Sequence, residues 1–235
     1  MPVLYLPGSL CDERVFSHQL SAIDHPSVVA DLTRDESFEA MALRALDMMP
    51  TRFAVVGLSM GAIVAAEIAR LAPTRVAGMA LIDFNLDAPD EAQNCTRRRW
   101  ATEVKTGNFA QVVDEIGPTM SAAPEVHGPL IAAMARAVGP DGFRRQNDAL
   151  LIRHDRRPIV AEFGGPVLIA AGRHDQACPP HLHTELAARV PDATVVIAEK
   201  AGHLSTIDEP ATLTRALRTW LQQIPNTHFQ QEEDQ

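Results

Sequence analysis

The chain has 235 residues, 46% of them hydrophobic and 22% charged, a mixture that folds and is wrong for a disordered segment. Its net charge of −9 argues against nucleic-acid binding, which needs basic patches, and no apolar run approaches the roughly 18 residues of a membrane span. The N-terminus has no basic, apolar leader, and Cys11, Cys95 and Cys178 form neither a disulfide framework nor a zinc pattern, so the expectation is a cytoplasmic globular protein with no nucleic-acid or membrane partner.

Short β-branched runs alternate with helical patterns, which is the signature of a parallel sheet with crossover helices. Val3–Leu6 reads as a buried strand ending at Pro7-Gly8, and Val28–Leu32 as a second, weaker one. A helix over Ser37–Met49 closes before Pro50. Phe53–Val56 is a third strand, followed at once by Gly57 and by a helix over Met60–Leu71 that stops before Pro73. Val76–Asp83 is the fourth strand. From about Leu86 to Phe163 the rhythm breaks: no strand is credible, and apolar residues recur at helical spacing, as at Phe109, Val112, Val113 and Ile116. Gly117-Pro118, Gly128-Pro129 and Gly139-Pro140 are expected to cut this stretch into short helices. Val167–Ala171 and Thr194–Ile197 give the last two strands, with helices over Leu182–Val190 and Ala211–Gln222. The polar, acidic end, Thr227–Gln235, is expected to fray.

So much helix is too long for one crossover, and it reads as an inserted cap over residues 86–160 within a core of residues 1–85 and 161–235. Charge separates the two: the cap holds ten basic and ten acidic side chains, so the core carries the whole net charge.

Gly57-Leu58-Ser59-Met60-Gly61 matches G-x-S-x-G in the strand–turn–helix context that the motif requires. A serine at so sharp a turn has strained backbone angles, and only glycine lets strand and helix approach there. The plainer reading is a glycine-rich helix start with Ser59 as N-cap. A hydroxyl also needs a base, and the base a third group to orient it. Gly172-Arg173-His174-Asp175 follows the fifth strand and Ala201-Gly202-His203-Leu204 the sixth, which places Asp175 and His203 where sites of open α/β sheets gather.

These three loops together resemble those of the α/β-hydrolase superfamily, over nearly the whole chain. The resemblance implies an α/β fold of about six mostly parallel strands flanked by helices, with a helical cap and without the usual N-terminal hairpin. It implies Ser59 as nucleophile, His203 as base and Asp175 as orienting acid, in the family's chain order. The amide of Met60 would be one oxyanion donor. Pro7-Gly8-Ser9-Leu10 stands where most relatives carry His-Gly, which makes the Ser9 amide the second donor, with Leu10 as the alternative. No metal and no cofactor are implied.

Asp83, at the end of the fourth strand, is the rival acid. His174 reads as a surface loop residue, His181 and His183 lie two apart on a helix, face different sides and suggest no metal site, and Cys11 and Cys178 read as small buried residues. The arginines at 97–99, 144–145, 153, 156 and 157 are expected to pair with acids such as Asp148 and Asp155, although one of them reaching the pocket would bind a substrate carboxylate. The function expected is a serine hydrolase of the carboxylesterase type, acting on a small ester or related acyl substrate. The alternatives are C–C bond hydrolysis, acyl transfer or perhydrolysis by the same triad, or a non-catalytic binding member of the fold.

Overall fold

The structure, a computed structural model, describes residues 1–225; the acidic end read as frayed lies outside them. Six strands, β1 (Val3–Leu6), β2 (Ser27–Val29), β3 (Phe53–Leu58), β4 (Val76–Ile82), β5 (Val167–Gly172) and β6 (Thr194–Ala198), form one sheet in the order β2-β1-β3-β4-β5-β6. Every neighbouring pair is parallel, and the described residues contain no antiparallel hairpin ahead of β1. β2 stops at Val29 instead of Leu32 because its partner, β1, ends at Pro7, which has no N–H to offer.

The helices are α1 (Ser17–Ala22), α2 (Phe38–Asp47), α3 (Met60–Leu71), α4 (Glu91–Lys105), α5 (Phe109–Ile116), α6 (Pro124–Leu151), α7 (Arg157–Ala161), α8 (Pro180–Ala187), α9 (Ser205–Asp208) and α10 (Pro210–Gln223). None of them is long and apolar enough to cross a membrane. The central strands are buried on both faces, which is why they read as continuous apolar runs. Successive residues still alternate between two cores. Leu4, Leu6 and Val55 pack with Met41 of α2 and Ile68 of α3, while Val3, Tyr5 and Val56 pack with Phe16, Leu217 and Trp220 on the other side.

Between β4 and β5 the described chain is helical, as expected. α4 carried no apolar stripe for the sequence to show, since Val104 is its one fully buried residue; it starts where the Asp90 carboxylate accepts the Gln93 N–H at 2.7 Å. Two of the three expected Gly-Pro breaks occur. Gly117-Pro118 ends α5, and Gly139, at φ 70° and ψ 172°, kinks α6 ahead of Pro140. Gly128-Pro129 does not break the helix: Pro129 lies inside α6, in its second turn, and the helix runs through it without the bond its N–H would have made. Leu10 and Phe143 share a third apolar cluster with Val104, Val112 and Val138, which seats the segment on the core.

Trp220 is fully buried and donates its indole N–H to the Pro166 carbonyl at 3.0 Å. Trp220→Ala is expected to cost about 3–5 kcal/mol, read as a lower urea midpoint with an unchanged m-value.

Candidate active site

The chain leaves β1 and β3 at adjacent positions but turns to opposite sides of the sheet, β2 lying beyond β1 and β4 beyond β3. This is a topological switch point, where open α/β sheets hold their ligands. The turn from β3 into α3 places Ser59 at φ 53° and ψ −115°, a strained conformation for a residue with a side chain. Two glycines make the turn possible. A β-carbon on Gly61 would overlap the Leu6 carbonyl oxygen of β1, and one on Gly57 would sit 2.5 Å from the Gly61 carbonyl oxygen.

Ser59, His203 and Asp175 converge. The Nδ1–H of His203 donates to Asp175 Oδ2 at 2.8 Å, which leaves Nε2 to accept the Ser59 hydroxyl proton at 2.9 Å. Asp175 and His203 are buried. The other carboxylate oxygen of Asp175 accepts the N–H groups of Ala177 and Cys178, each at 2.8 Å. Burial pulls the His203 pKa down, but the Asp175 carboxylate outweighs it, aided by Cys178, and holds the imidazole well above its ordinary value.

Asp83 does not reach the imidazole. Its Oδ1 accepts the Gly172 N–H at 2.8 Å and its Oδ2 the Ser205 N–H at 2.9 Å, so it ties the Asp175 loop to the His203 loop. Burial pushes its pKa up to about 7, the negative charge of Asp175 adding to the rise and His203 opposing it. A second brace, not visible in the sequence, is Asp208, whose Oδ2 accepts the Gly202 N–H at 2.7 Å and the Ala122 N–H at 2.9 Å. His183 is buried, accepts the Phe84 N–H at 2.8 Å, and is pushed down to about 4 by burial. Its ring thus serves the packing between α8 and the end of β4.

Met60 opens α3, so its N–H has no acceptor within the helix. Of the two residues considered as the other donor, Leu10 has its amide occupied, donating to Gln146 Oε1 at 3.1 Å. Ser9 is the one left, and its hydroxyl donates to the same oxygen at 3.1 Å. Gln146, fully buried in α6, therefore fixes this loop. Its only signal in the sequence was a polar residue inside a helical run.

Donor atoms of Asp175, Cys178 and His203 lie within 4.8 Å of one another, the one such metal-capable cluster among the described residues. Both oxygens of Asp175 are already engaged, and burial raises the Cys178 thiol pKa, so it stays protonated. The cluster fits a proton relay with a neighbouring thiol better than a metal centre.

A cavity of about 590 Å³ opens above Ser59 and His203, lined from the helical segment by Gln93, Arg97, Trp100, Phe143 and Arg153 among others. The remaining arginines singled out in the sequence mostly pair as expected: Arg144 with Asp148 and Glu36, Arg157 with Asp155 and Asp87, Arg98 with Glu91, and Arg99 with Glu103 and Glu115.

A family model described as the alpha/beta hydrolase family matches residues 8–216. A curated protein of Pseudomonas savastanoi pv. phaseolicola that bears the provisional name carbamate hydrolase RutD is 28% identical over 222 residues, covering 87% of this chain and 83% of its own. Among solved structures, a thermophilic esterase from Thermogutta terrifontis in a malate-bound form superposes with a TM-score of 0.85 at 24% identity, covering 95% of this chain and 90% of the other. The enol-lactonase of Burkholderia xenovorans LB400 superposes at 0.82 with 21% identity, covering 94% and 91%.

The brace at Asp83 has a measurable consequence. Asp83→Asn turns an acceptor into an NH2 group facing one of the two amides, which is expected to cost about 1–3 kcal/mol. The folded-state pKa of Asp83 lies above its ordinary value, so its contribution to stability is full at low pH and is lost as pH rises through about 7. Asparagine does not titrate. The gap in urea stability between wild type and variant should therefore narrow from pH 5 to pH 8.

Proposed function

The chain belongs to the alpha/beta hydrolase family, and on that premise we propose that it is a serine hydrolase that cleaves a small ester or related acyl substrate through a covalent acyl-enzyme. The observation that carries this reading is the relay from Ser59 through His203 to the buried Asp175, with links of 2.9 and 2.8 Å. The curated relatives, named as carbamate hydrolases, support hydrolysis at an acyl carbon.

In this reading His203 takes the Ser59 proton as Oγ attacks the carbonyl. The carbonyl oxygen becomes an oxyanion held by the amides of Ser9 and Met60, each worth roughly 3–4 kcal/mol of barrier. His203 then passes the proton to the leaving group, and the bond to that group breaks. Water, deprotonated by His203, attacks the acyl-enzyme and releases the acid, and Ser59 recovers its proton. Asp175 keeps its negative charge throughout, fixing the tautomer and stabilising the imidazolium. The helical segment over residues 86–160 acts as a cap that selects the acyl group, on a core of residues 1–85 and 161–235. Three free cysteines agree with a reducing compartment, and the reading includes a cytoplasmic location.

Ser59→Ala is expected to lower kcat at least about a thousandfold while leaving the thermal transition intact, and to abolish labelling by a fluorophosphonate. Asp175→Asn should cost several orders of magnitude by leaving His203 in the wrong tautomer. Residual turnover within tenfold of wild type in Ser59→Ala overturns the reading. The base must be neutral to work, and its pKa is raised. The rise of kcat/KM with pH should therefore have its midpoint above the roughly 6.5 of a free imidazole, and Asp175→Asn should move whatever activity remains to lower pH.

A further inference from the structure

Two guanidinium groups line the cavity above Ser59 without a carboxylate in direct contact, although the charges of Asp87 and Asp90 act on Arg153 from farther away. Arg97, on α4, and Arg153, just after α6, both face the same space. Among the described residues no acid lies within ion-pair distance of either, in contrast to Arg98 and Arg99 on the same helix as Arg97. Arg153 is buried and held by neutral oxygens: its Nε donates to the Asp87 carbonyl at 2.8 Å and a terminal nitrogen to Gln93 Oε1 at 2.7 Å. Arg97 is far less satisfied. Of its five N–H donors, one makes a long 3.4 Å bond to Asn147 Oδ1, and its guanidinium lies 6.0 Å from the ring centre of Trp100.

Holding two positive charges beside an apolar cavity without an acid is unfavourable in the isolated protein. Burial and the neighbouring charge of Arg153 push the Arg97 pKa down to about 10, still far above neutrality, so both groups are charged at working pH. Glu115, the one acid among the described residues that line the cavity, is engaged by Arg99 through two bonds of 2.8 and 2.5 Å, an arginine it shares with Glu103. The rigid mounting of Arg153 and the free fork of Arg97 are what a subsite for a planar anion needs.

We propose that the substrate carries a carboxylate at the end of its acyl chain remote from the scissile bond, and that Arg97, backed by Arg153, binds it. This rests on the serine-hydrolase reading of the same site and narrows it from acyl substrates in general to anionic ones.

The test uses the full chain and matched aryl esters: 4-nitrophenyl hemiesters of glutarate, adipate and pimelate, each against its methylated, uncharged counterpart, with uncatalysed rates subtracted. For at least one chain length the wild type is expected to prefer the acid by about 10- to 150-fold in kcat/KM, the range of a hydrogen bond to a charged group. Arg97→Met should erase that preference. Arg98→Met, one residue along on the exposed side of α4, should keep it. If Arg97→Met fails to fold, Arg97→Lys, which keeps the charge and loses the fork, gives the same comparison with a smaller loss. Equal use of both members of every pair by the wild type, or a preference undiminished in the Arg97 variants, overturns the proposal. Calorimetry with glutarate on Ser59→Ala, with and without Arg97→Met, reads the subsite without chemistry, and equal affinity in the two proteins also overturns it. Failure of the serine reading looks different: Ser59→Ala would then turn over the esters at wild-type rates, whatever their charge.

Discussion

The site depends on one close approach of backbone to backbone. α3 begins where its first turn presses on β1, at the contact of Gly61 with the Leu6 carbonyl. Because β1 and β3 are parallel neighbours, with Leu6 opposite Gly57, the two loops that follow them emerge side by side. That places Ser59 next to Gly8, where an added β-carbon would lie 3.3 Å from the Ser59 side chain. The Ser59 side chain, the Met60 amide and the Ser9 loop thus share one geometric constraint, and the strain at Ser59 is maintained by the packing of strands on both sides.

The second half of the site is held by charge. At the carboxyl edge of β4 to β6, Asp83, Asp175 and Asp208 each accept at least two hydrogen bonds from loop amides or hydroxyls. A buried carboxylate is expensive unless its lone pairs are filled, so each acid fixes the backbone that satisfies it. His203 lies between two of these tethers, Gly202 on Asp208 and Ser205 on Asp83. Its ring is consequently aimed by the loop as well as by Asp175. Asp83 positions these loops, and it looked in the sequence like a rival for the acid's role because it stands at the end of the fourth strand.

Most of the fold was legible because buried parallel strands leave unbroken apolar runs and prolines mark the helix ends. The elbow and its two partner loops were legible because glycine spacing records a backbone constraint that side chains cannot satisfy. Other features had no such mark. α4 is polar along its length, so periodicity had nothing to show. The 3.1 Å bond from the Leu10 amide to Gln146 joins positions 136 residues apart, and a polar residue within a helical run does not announce its partner. Pairing of the arginines could be expected as a class, but which of them would face the cavity without an ion-pair partner depended on the three-dimensional placement of Asp87, Gln93 and Glu115.

The helical segment therefore contributes more than a cover. Through Gln146 it holds the Ser9–Leu10 loop, and through the Met120 carbonyl it takes the Leu204 N–H at 2.8 Å, so it touches the core at both the nucleophile's neighbour and the base's loop. Its ten acids and ten basic residues cancel overall, yet their placement is not symmetric. Arg98, Arg99, Arg144 and Arg157 pair with acids at partly or fully exposed positions, while Arg97 and Arg153 face the cavity. Salt and water screen the outer charges, whereas the inner two act on whatever enters. A segment without net charge in an acidic protein thus sets two guanidinium groups at the cavity, and in the proposed mechanism recognition is separated from a reaction carried out by core loops.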